Sequence, residues 1–306
     1  MSASGLDCVC FGEALVDMLP DRRGRLRDCE RYQVHSGGAP ANVAVGLARL
    51  GLRSGFVGVV GEDEFGHLLA RKLAAENVQA SLRFTPAAKT GVWFVALDEH
   101  GDRSFFTPTG AQSADKLIDS SDVERIPQAR VFHCGSSSHI HPAAQQALKL
   151  AVRRARERGT VVSFDPNVRL HLWNDARELR ALCEDLLPLC DIVKLSEDEL
   201  EPCLGVREPQ EALQKLQARL VCVTRGARGA MARRGSEFVE VPAPQVEVVD
   251  TTGAGDGFVA GLLASDPLTA DLRAALRFAC AVGSRVCTRF GAVAGLPTRA
   301  EAAALV

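Results

Sequence analysis

The sequence predicts an α/β fold in which a mostly parallel β-sheet lies between two layers of helices and carries a small β-sheet lid. The second half of the chain alternates between short apolar runs, typical of buried strands, and longer amphipathic stretches, typical of helices. Hydrophobic residues make up 46% of the 306 residues, which is enough for a large buried core. Two β-rich insertions, near residues 14–36 and 90–108, interrupt the alternation and are too short to be domains. We therefore predict a single domain over residues 1–306 with two lid insertions.

The first half of the chain opens with the apolar run LDCVCFG, whose length and closing glycine are typical of a buried strand. The stretch RYQVHSGGAPANVAVGLARLG predicts a strand, a turn at Gly37 and Gly38, and then a helix that Gly51 can end. A second buried strand is predicted at RSGFVGVVGED, followed by an amphipathic helix at EFGHLLARKLAAENV. Two β-rich runs in TGVWFVALDEHGDRSFF predict a hairpin with Gly101 in its turn.

The second half of the chain repeats a strand-then-helix order. Strands are predicted at ARVFHCGS, TVVSFDPN, DIVKLS and LVCVTRG, and helices at HPAAQQALKLAVRRARERG, DARELRALCEDLLPLC, EDELEPCLG and EALQKLQARL. A further strand, VEVVD, is predicted before a further helix, GDGFVAGLLAS. Parallel strands end at the same edge of a sheet, and open α/β sheets bind their ligands there. The two insertions are therefore expected to cover that edge as a lid.

Composition narrows the classes of function. The formal net charge is -2 and no basic run carries interleaved aromatic residues, so neither nucleic acid nor a membrane is an expected partner. The 10 cysteines lie mostly within apolar runs, where cysteine acts as a small hydrophobic residue, and they lack the spacing of a zinc site. No apolar run reaches the length of a membrane span, and no secretion signal is evident. We therefore expect a reduced cytoplasmic protein.

The stretch DTTGAGDGF, residues 250–258, carries the clearest sign of chemistry. Its small residues stand at the predicted start of a helix, where backbone N–H groups can approach an anion closely. Three interpretations compete. The first is a glycine turn needed only for backbone geometry, and the second is a dinucleotide fingerprint, which lacks its last glycine and comes too late in the chain. The third is a phosphoryl-transfer site, although no Walker A Gly-Lys-Ser/Thr follows.

The third interpretation also explains the carboxylate of Asp256, which a simple phosphate cradle would not need. Phosphoryl transfer to an alcohol requires an acceptor for the hydroxyl proton beside the transferred group. A helix N-terminus stabilises the negative charge of such an acceptor. From these residues alone the glycine turn remains an alternative, although it leaves Asp256 unexplained.

Two motifs carry a resemblance to a known family. DTTGAGDGF resembles the C-terminal signature of the ribokinase-like (PfkB-type) carbohydrate kinases, and SGGAPANVAVGLARLG, residues 36–51, resembles their N-terminal signature. GEALVDMLP, GVVGEDEFG, FDPNVRLHLW, KLSEDEL and VTRGARGA extend the resemblance over nearly the whole chain, and within the family it is most similar to the bacterial fructokinases. The resemblance implies a ribokinase-like three-layer αβα sandwich and transfer of the γ-phosphoryl group of ATP to a primary hydroxyl, with D-fructose giving fructose 6-phosphate.

The resemblance also implies roles for particular residues. Asp256 matches the catalytic base. The positions that match the anion hole are Gly253, Ala254 and Gly255. The positions that match the sugar site are Asp17, Gly37, Gly38 and Asn42, and Arg169 is expected to reach a phosphate or a sugar oxygen. Carboxylate and amide groups suit vicinal hydroxyls, and the two glycines let the backbone approach the sugar.

The cofactors implied by the resemblance are ATP and Mg²⁺, and a potassium ion is allowed. Thr224, Gly226 and Gly255 match positions near the nucleotide. Glu199 matches a residue that reaches Mg²⁺ through water. Asp250 and Thr252 match the loop that binds a monovalent cation in some relatives, with a second loop around residues 289–295. The partners implied are a small sugar and ATP, and exposed lid edges suggest a homodimer.

Several alternatives stay open. Asn42 would also serve as a helix cap, and Asp17 as a solvated strand residue. Glu199 would also serve as a first-turn helix acid, and Arg169 as a member of a surface ion pair. Residues 107–112 follow the family pattern only loosely, so 2-keto-3-deoxygluconate, ribose and nucleosides remain rival substrates. A non-catalytic sugar-binding regulator and a dinucleotide dehydrogenase are the rivals from other classes. For His133, His139 and His141, hydrogen-bonded roles are expected rather than a metal site.

Overall fold

The computed structural model describes residues 5–20, 24–97 and 103–306, and the strands in this part of the chain form two separate sheets. The strands are β1 (Leu6–Phe11), β2 (Leu15–Pro20), β3 (Tyr32–Gly37), β4 (Ser54–Gly61), β5 (Gln79–Thr85), β6 (Val92–Leu97), β7 (Arg103–Phe106), β8 (Ala129–Cys134), β9 (Val161–Phe164), β10 (Ile192–Ser196), β11 (Leu220–Thr224), β12 (Ala230–Arg234) and β13 (Glu237–Val241). The helices are α1 (Ala39–Arg49), α2 (Glu64–Ala75), α3 (Ser120–Val123), α4 (Pro142–Glu157), α5 (Ala176–Leu186), α6 (Glu197–Leu204), α7 (Pro209–Lys215), α8 (Ala254–Ala264), α9 (Leu272–Val286) and α10 (Arg299–Ala303).

The larger sheet has nine strands in the order β13-β12-β11-β10-β9-β8-β1-β4-β5. Neighbouring strands from β11 to β5 run parallel, whereas β12 and β13 join antiparallel at one end. The predicted mostly parallel sheet is therefore confirmed. Sequence analysis missed β5 and the β12–β13 hairpin, because both lie at sheet edges and carry polar side chains that weaken the apolar signal.

The larger sheet has a hydrophobic core on each face, which explains why its central strands are apolar throughout. Along β1, Val9 and Phe11 pack into the core shared with α4, α5, α6 and α7. Cys8 and Cys10 point the other way, into the core shared with α1, α2, α8 and α9. The three-layer αβα arrangement predicted from the sequence is confirmed. All ten cysteines are free thiols, and no helix in the described part of the chain is long and apolar enough to cross a membrane.

The smaller sheet is the predicted lid, with strand order β3-β2-β6-β7. Strands β2 and β3 come from the first insertion and β6 and β7 from the second, and β2 joins the two by pairing parallel with β6. The hairpin turn with Gly101 lies outside the described residues, as do residues 21–23. Two insertions that are far apart in the sequence thus build one sheet at the carboxyl edge of the larger sheet.

One predicted strand is wrong. VEVVD, residues 246–250, belongs to a loop that runs from the end of β13 to α8. Val248 is 55% exposed, so its apolar character does not reflect burial in a sheet. The backbone N–H groups of Val249 and Asp250 donate to the carbonyl of Cys287, just after α9, at 2.8 and 3.2 Å. The loop is therefore held by the end of a helix rather than by a neighbouring strand, whereas the predicted helix after it is confirmed as α8.

Candidate active site

A cavity of about 80 Å³ lies between the lid and the loops at the carboxyl edge of the larger sheet. We call it the Asp256 cavity. Its lining residues are Glu13, Leu15, Asp17, Gly38, Ala39, Asn42, Trp93, Val95, Lys116, Ser137, Asn167, Arg169, Thr252, Gly253 and Asp256. A larger cavity of about 260 Å³ lies behind α1 and shares Asn42, but its lining includes neither Asp17 nor Asp256. The Asp256 cavity gathers seven of the predicted site residues, whereas Gly37 lines the larger cavity; the seven are Asp17, Gly38, Asn42, Arg169, Thr252, Gly253 and Asp256.

Asp256 lies in the first turn of α8 with its side chain buried. Its Oδ2 accepts a hydrogen bond of 2.8 Å from Nδ2 of Asn42. Burial raises the pKa of Asp256, while the hydrogen bond from Asn42 and the positive charges of Arg169 and Lys194 oppose the rise. A carboxylate with a raised pKa is a stronger proton acceptor once it is ionised. The position therefore suits a general base.

The glycine-rich turn before Asp256 has a backbone that other residues would strain. Gly253 caps α8 with a φ of 79°, and a Cβ at this position would lie 2.5 Å from the side chain of Ala292. The N–H of Ala254 already donates to the carbonyl of Thr251 at 3.2 Å. The N–H groups of the next turn, including that of Gly255, have no earlier helical carbonyl to pair with. Of the predicted anion-hole positions, Gly255 is thus better placed than Ala254 to offer a donor.

Asp17 and the glycine pair meet in the wall opposite α8. Asp17 lies on β2 opposite His35 of β3 and is only 9% exposed, so the alternative of a solvated strand residue does not hold. A Cβ at Gly37 would lie 2.1 Å from Oδ2 of Asp17, and one at Gly38 would lie 2.4 Å from the carbonyl oxygen of Glu13. Gly38 therefore requires glycine, because its φ is 100° and the close atom belongs to the backbone, whereas a side chain at Gly37 would displace the carboxylate of Asp17.

Asn42 lies inside α1, which begins at Ala39 and is capped by Gly38, so it is not a helix cap. Its Nδ2 is used by Asp256, and its buried Oδ1 has no hydrogen-bond partner among the described residues. A buried acceptor without a partner costs free energy. Asn42 therefore holds Asp256 with one end of its amide and leaves the other end for a ligand.

A group of buried charges surrounds Lys194, which lies on β10. Its Nζ is 3.1 Å from Oδ2 of Asp165 and 3.9 Å from Oε2 of Glu199. Burial raises the pKa of Asp165; the charge of Lys194 opposes this rise, and those of Glu199 and Asp256 add to it. Half-buried Arg169 lines the adjacent cavity and is not a surface ion pair. Three carboxylates thus share one buried ammonium, which leaves this region short of positive charge.

Glu199 has a structural role of its own. It forms a capping box with Ser196 at the start of α6, where its Oε2 accepts from the N–H of Ser196 at 2.7 Å. Its Oε1 accepts from the N–H of Val168 at 2.8 Å. Burial alone would raise the pKa of Glu199, but Lys194 and these two N–H groups hold it below its ordinary value. The alternative of a first-turn acid is therefore realised, and the role near Mg²⁺ stays a prediction.

The predicted nucleotide and potassium positions lie mostly beside the cavity. Thr224 ends β11 next to the end of β10, and Gly226 follows with a φ of 56°. Thr252 lines the cavity and donates to Oδ1 of Asp250 through its N–H and its hydroxyl, at 2.9 and 2.7 Å. Oδ2 of Asp250 accepts from the N–H of Gly291 at 3.0 Å. Asp250 therefore ties together the two loops to which the sequence assigned a potassium ion.

Sequence analysis assigned no role to four buried charged residues at or beside the site: Glu13, Lys116, Asp165 and Lys194. Lys194 and Asp165 had a detectable signal, since DIVKLS places a charge inside an apolar strand and FDPN places one directly after a strand. Glu13 follows the glycine that ends the first strand. Lys116 lies in a short 3-10 segment, residues 114–117, whose sequence gives no such signal.

The three histidines noted in the sequence make hydrogen bonds. Nδ1 of His133 lies 3.0 Å from the hydroxyl of Ser163, and Nδ1 of His139 lies 3.1 Å from the carbonyl of Gly135. Nε2 of His141 lies 2.9 Å from the carbonyl of Ala111. Burial lowers the pKa of His133 and of His139 to about 3, so both are neutral near pH 7.

The chain is similar to known carbohydrate kinases in sequence and in structure. The model of the pfkB family carbohydrate kinases matches residues 6–299. A fructokinase from Klebsiella pneumoniae is 40% identical over 94% of this chain and 95% of its own length.

Two solved structures share the fold over nearly their whole length. A fructokinase double mutant from Vibrio cholerae O395, in a form with fructose, ADP and a potassium ion bound, is 35% identical with a TM-score of 0.88 and 99% of both chains covered. A ribokinase-II-type protein from E. coli in complex with ATP and Mg²⁺ is 29% identical with a TM-score of 0.88 and 98% of both chains covered.

Proposed function

This chain belongs to the pfkB family of carbohydrate kinases, and we propose that it transfers the γ-phosphoryl group of ATP to a primary hydroxyl of D-fructose, giving fructose 6-phosphate. The observation that carries the proposal is the contact between Asp256 and Asn42. A buried carboxylate with a raised pKa thus lies at a helix N-terminus and lines the same cavity as groups suited to sugar hydroxyls. The fructokinases among the similar proteins support fructose as the sugar.

The proposed reaction uses the two walls of the Asp256 cavity together. The hydroxyl oxygen of the sugar attacks the γ-phosphorus while the bond from that phosphorus to the bridging oxygen of ADP breaks. Asp256 takes the hydroxyl proton, and Asn42 holds its carboxylate in position. The N–H of Gly255, within the predicted anion hole, and the guanidinium of Arg169 stabilise the negative charge on the transferred group.

The sugar itself is held by the opposite wall of the cavity. Asp17 accepts hydrogen bonds from sugar hydroxyls, and Oδ1 of Asn42 gains the partner it lacks among the described residues. Gly37 and Gly38 keep the backbone free of side chains where the sugar lies. Closure of the lid excludes water, which would otherwise compete as the phosphoryl acceptor.

Mg²⁺ and ATP are the proposed cofactors. Mg²⁺ supplies charge neutralisation to the phosphates and usually binds through water, phosphate oxygens and one or two carboxylates. The surplus of carboxylates around Lys194 fits such an ion. Glu199 and Asp165, whose carboxylates lie within 4 Å of the Lys194 ammonium, are the acids proposed to approach it. No set of three or more His, Cys, Asp or Glu side chains among the described residues is arranged to hold a metal directly. Thr224 and Gly226 flank the proposed nucleotide path.

Further parts of the proposal concern the cation, the assembly and the cell. The loops that Asp250 joins are a proposed potassium site, to be tested by comparing turnover in potassium and choline salts.

Exposed apolar side chains on the lid, such as Phe106 (56% exposed), support a homodimer. We also propose that the chain is a single domain, and ten free thiols support work in the reducing cytoplasm.

The test is ADP release from the purified protein with a panel of acceptors at saturating Mg-ATP. We expect D-fructose to have a higher kcat/KM than ribose, 2-keto-3-deoxygluconate or a nucleoside. If another acceptor exceeds fructose by more than about tenfold, the sugar assignment is wrong while the kinase mechanism stands. If no acceptor is phosphorylated, a sugar-binding regulator becomes the favoured interpretation instead.

A further inference from the structure

A second group of buried charges lies in the Asp256 cavity away from Asp256 itself. Glu13 and Lys116 both line the cavity, and they are only 3% and 2% exposed. Asp115, next to Lys116, is 1% exposed. Acidic and basic side chains are almost never buried to this degree unless they are paired. The reaction described above leaves this group without a role.

The position of this group follows from α1. Oε1 of Glu13 accepts a hydrogen bond from the N–H of Ala39, the first residue of α1, at 3.3 Å. Asn42, which contacts Asp256, lies three residues further along the helix, or about 4.5 Å along its axis. Glu13 is thus displaced along the cavity wall from the proposed base.

Different cations influence the pKa values of Glu13 and Asp256. Burial raises the pKa of Glu13, and the positive charge of Lys116 is the main influence that opposes the rise. The cations that oppose the raised pKa of Asp256 are instead Arg169 and Lys194. Lys116 therefore lies close to Glu13 in the lining of the same cavity.

Both Glu13 and Lys116 have unused hydrogen-bonding capacity. Nζ of Lys116 donates to Oδ2 of Asp115 at 2.5 Å, which is the only hydrogen bond of this ammonium to another described residue. An ammonium carries three N–H donors. Oε2 of Glu13 is buried with no hydrogen-bond partner among the described residues. A hydroxyl both donates and accepts, so hydroxyls of a sugar in the cavity would satisfy the two residues together.

We propose that Lys116 and Glu13 are specificity-determining residues, which donate to and accept from the hydroxyls at the end of the sugar opposite to the phosphorylated one. This inference rests on the proposed function and deepens it. In the furanose form of fructose phosphorylated on C6, that end carries the C1 hydroxymethyl group and the C2 hydroxyl. A sugar without these groups leaves a buried ammonium and a buried carboxylate unpaired, so the site rejects it.

The experiment compares three acceptors at saturating Mg-ATP: D-fructose, 1-deoxy-D-fructose and 2,5-anhydro-D-mannitol, which lacks the C2 hydroxyl. The variants are Lys116→Met, Glu13→Gln and the double variant Asp115→Asn/Lys116→Met. The double variant also neutralises Asp115, which Lys116→Met would leave without its cation, and so keeps the test valid if Lys116→Met fails to fold. Lys149→Met is the control, because Lys149 pairs with Asp185 on the surface at 2.5 Å.

We expect the wild type to favour fructose, and each Lys116 variant to raise the KM for fructose roughly tenfold to a hundredfold. The KM for ATP and the kcat with fructose should stay near wild type, and the preference for fructose over the two analogues should shrink. Glu13→Gln should change the preference in the same direction, and Lys149→Met should change none of these values.

The inference can be overturned by the kinetics or, if the protein is inactive, by a binding measurement. If folded Lys116 variants keep the wild-type KM and the wild-type preference, and only the Tm falls, the buried pair is structural. If the wild type phosphorylates no acceptor, the proposed function fails, and calorimetric titration with D-fructose then decides the inference separately. Equal Kd values for the wild type and the double variant, or no binding to either, would overturn it.

Discussion

The two ends of the Asp256 cavity are built from different parts of the fold. The Asp256 end consists of the start of α8 and the loops after strands of the nine-stranded sheet, with Lys194 and three carboxylates close together. The other end consists of lid strands and the segment around Lys116, where the Lys116–Asp115 ion pair, Glu13 and Asp17 are the buried charges. The groups assigned to phosphoryl transfer thus stand on the sheet edge, and those assigned to recognition stand on lid strand β2, as Asp17 does, or on segments beside the lid, as Glu13 and Lys116 do. Changes at the first end should therefore alter turnover, and changes at the second should alter the choice of sugar.

The sharpest test of the division is Asp256→Asn. The amide keeps the shape of the side chain but cannot accept the hydroxyl proton, so kcat should fall by about two or more orders of magnitude. The KM for the sugar should change far less. Asp198→Asn is the matched control, because Asp198 is an exposed acid in the first turn of α6. A variant of Asp256 with near wild-type turnover would show that another group takes the proton.

At the lid end, Asp17→Ala should act on sugar binding. It removes a charged hydrogen-bond acceptor, so the KM for fructose should rise roughly tenfold to a hundredfold while the KM for ATP stays the same. Glu30→Ala provides the control, since Glu30 is an exposed acid of the same insertion. An Asp17 variant with a normal sugar KM and a lower Tm would mean that the lid wall is structural here.

Gly253→Ala tests the backbone of the Asp256 end. The positive φ and the close approach of Ala292 should make this substitution lower the free energy of unfolding by about 1–3 kcal/mol, measured by urea titration. Gly226→Ala is the control, because Gly226 has a φ of 56° but no heavy atom within 4 Å of its Cβ position. Equal losses for both variants would show that the close approach of Ala292 contributes nothing.

The smallest expected effect concerns pH. Because burial raises the pKa of Asp256, kcat/KM should fall on the acid side at a higher pH than an exposed aspartate would give. The positive charge of Arg169 opposes that rise, so Arg169→Met should move the acid limb to higher pH. Arg177→Met, at a fully exposed arginine, should leave it in place. If the acid limb of the kcat/KM profile lies at the same pH in the Arg169 variant as in the wild type, the ionisation of Asp256 does not determine that limb.

The residues that could be predicted from the sequence at the Asp256 end share a physical reason. Glycines at positions of close approach and an acid at a helix start leave a local pattern, which Gly253 and Asp256 both show. The α/β order was also predictable, because buried strands and amphipathic helices have distinct periods. The strand predicted at VEVVD was wrong because β-branched residues favour a strand prediction even when they lie in an exposed loop, as Val248 does.

The missed residues depend on contacts between distant segments. Lys116 has no local pattern, and its burial becomes visible only when its segment is placed against Glu13, more than a hundred positions earlier in the chain. The Lys194 group likewise needs β9, β10 and α6 to be assembled. Edge strands such as β5 were missed because half-exposed strands mix polar and apolar side chains.

The hydrogen bond between Asn42 and Asp256 has a consequence for how the protein is made. It joins positions 214 residues apart, so a growing chain on the ribosome carries the sugar-binding wall long before it carries the base. Contacts between such distant positions form late in folding, because the chain loses the entropy of closing the loop before the contacts can stabilise it. A nascent chain that stops short of α8 can have the lid and the first strands in place and still lack the group that takes the proton. Under the proposed mechanism, the catalytic cavity is therefore completed only after residue 256 of the 306 has been added.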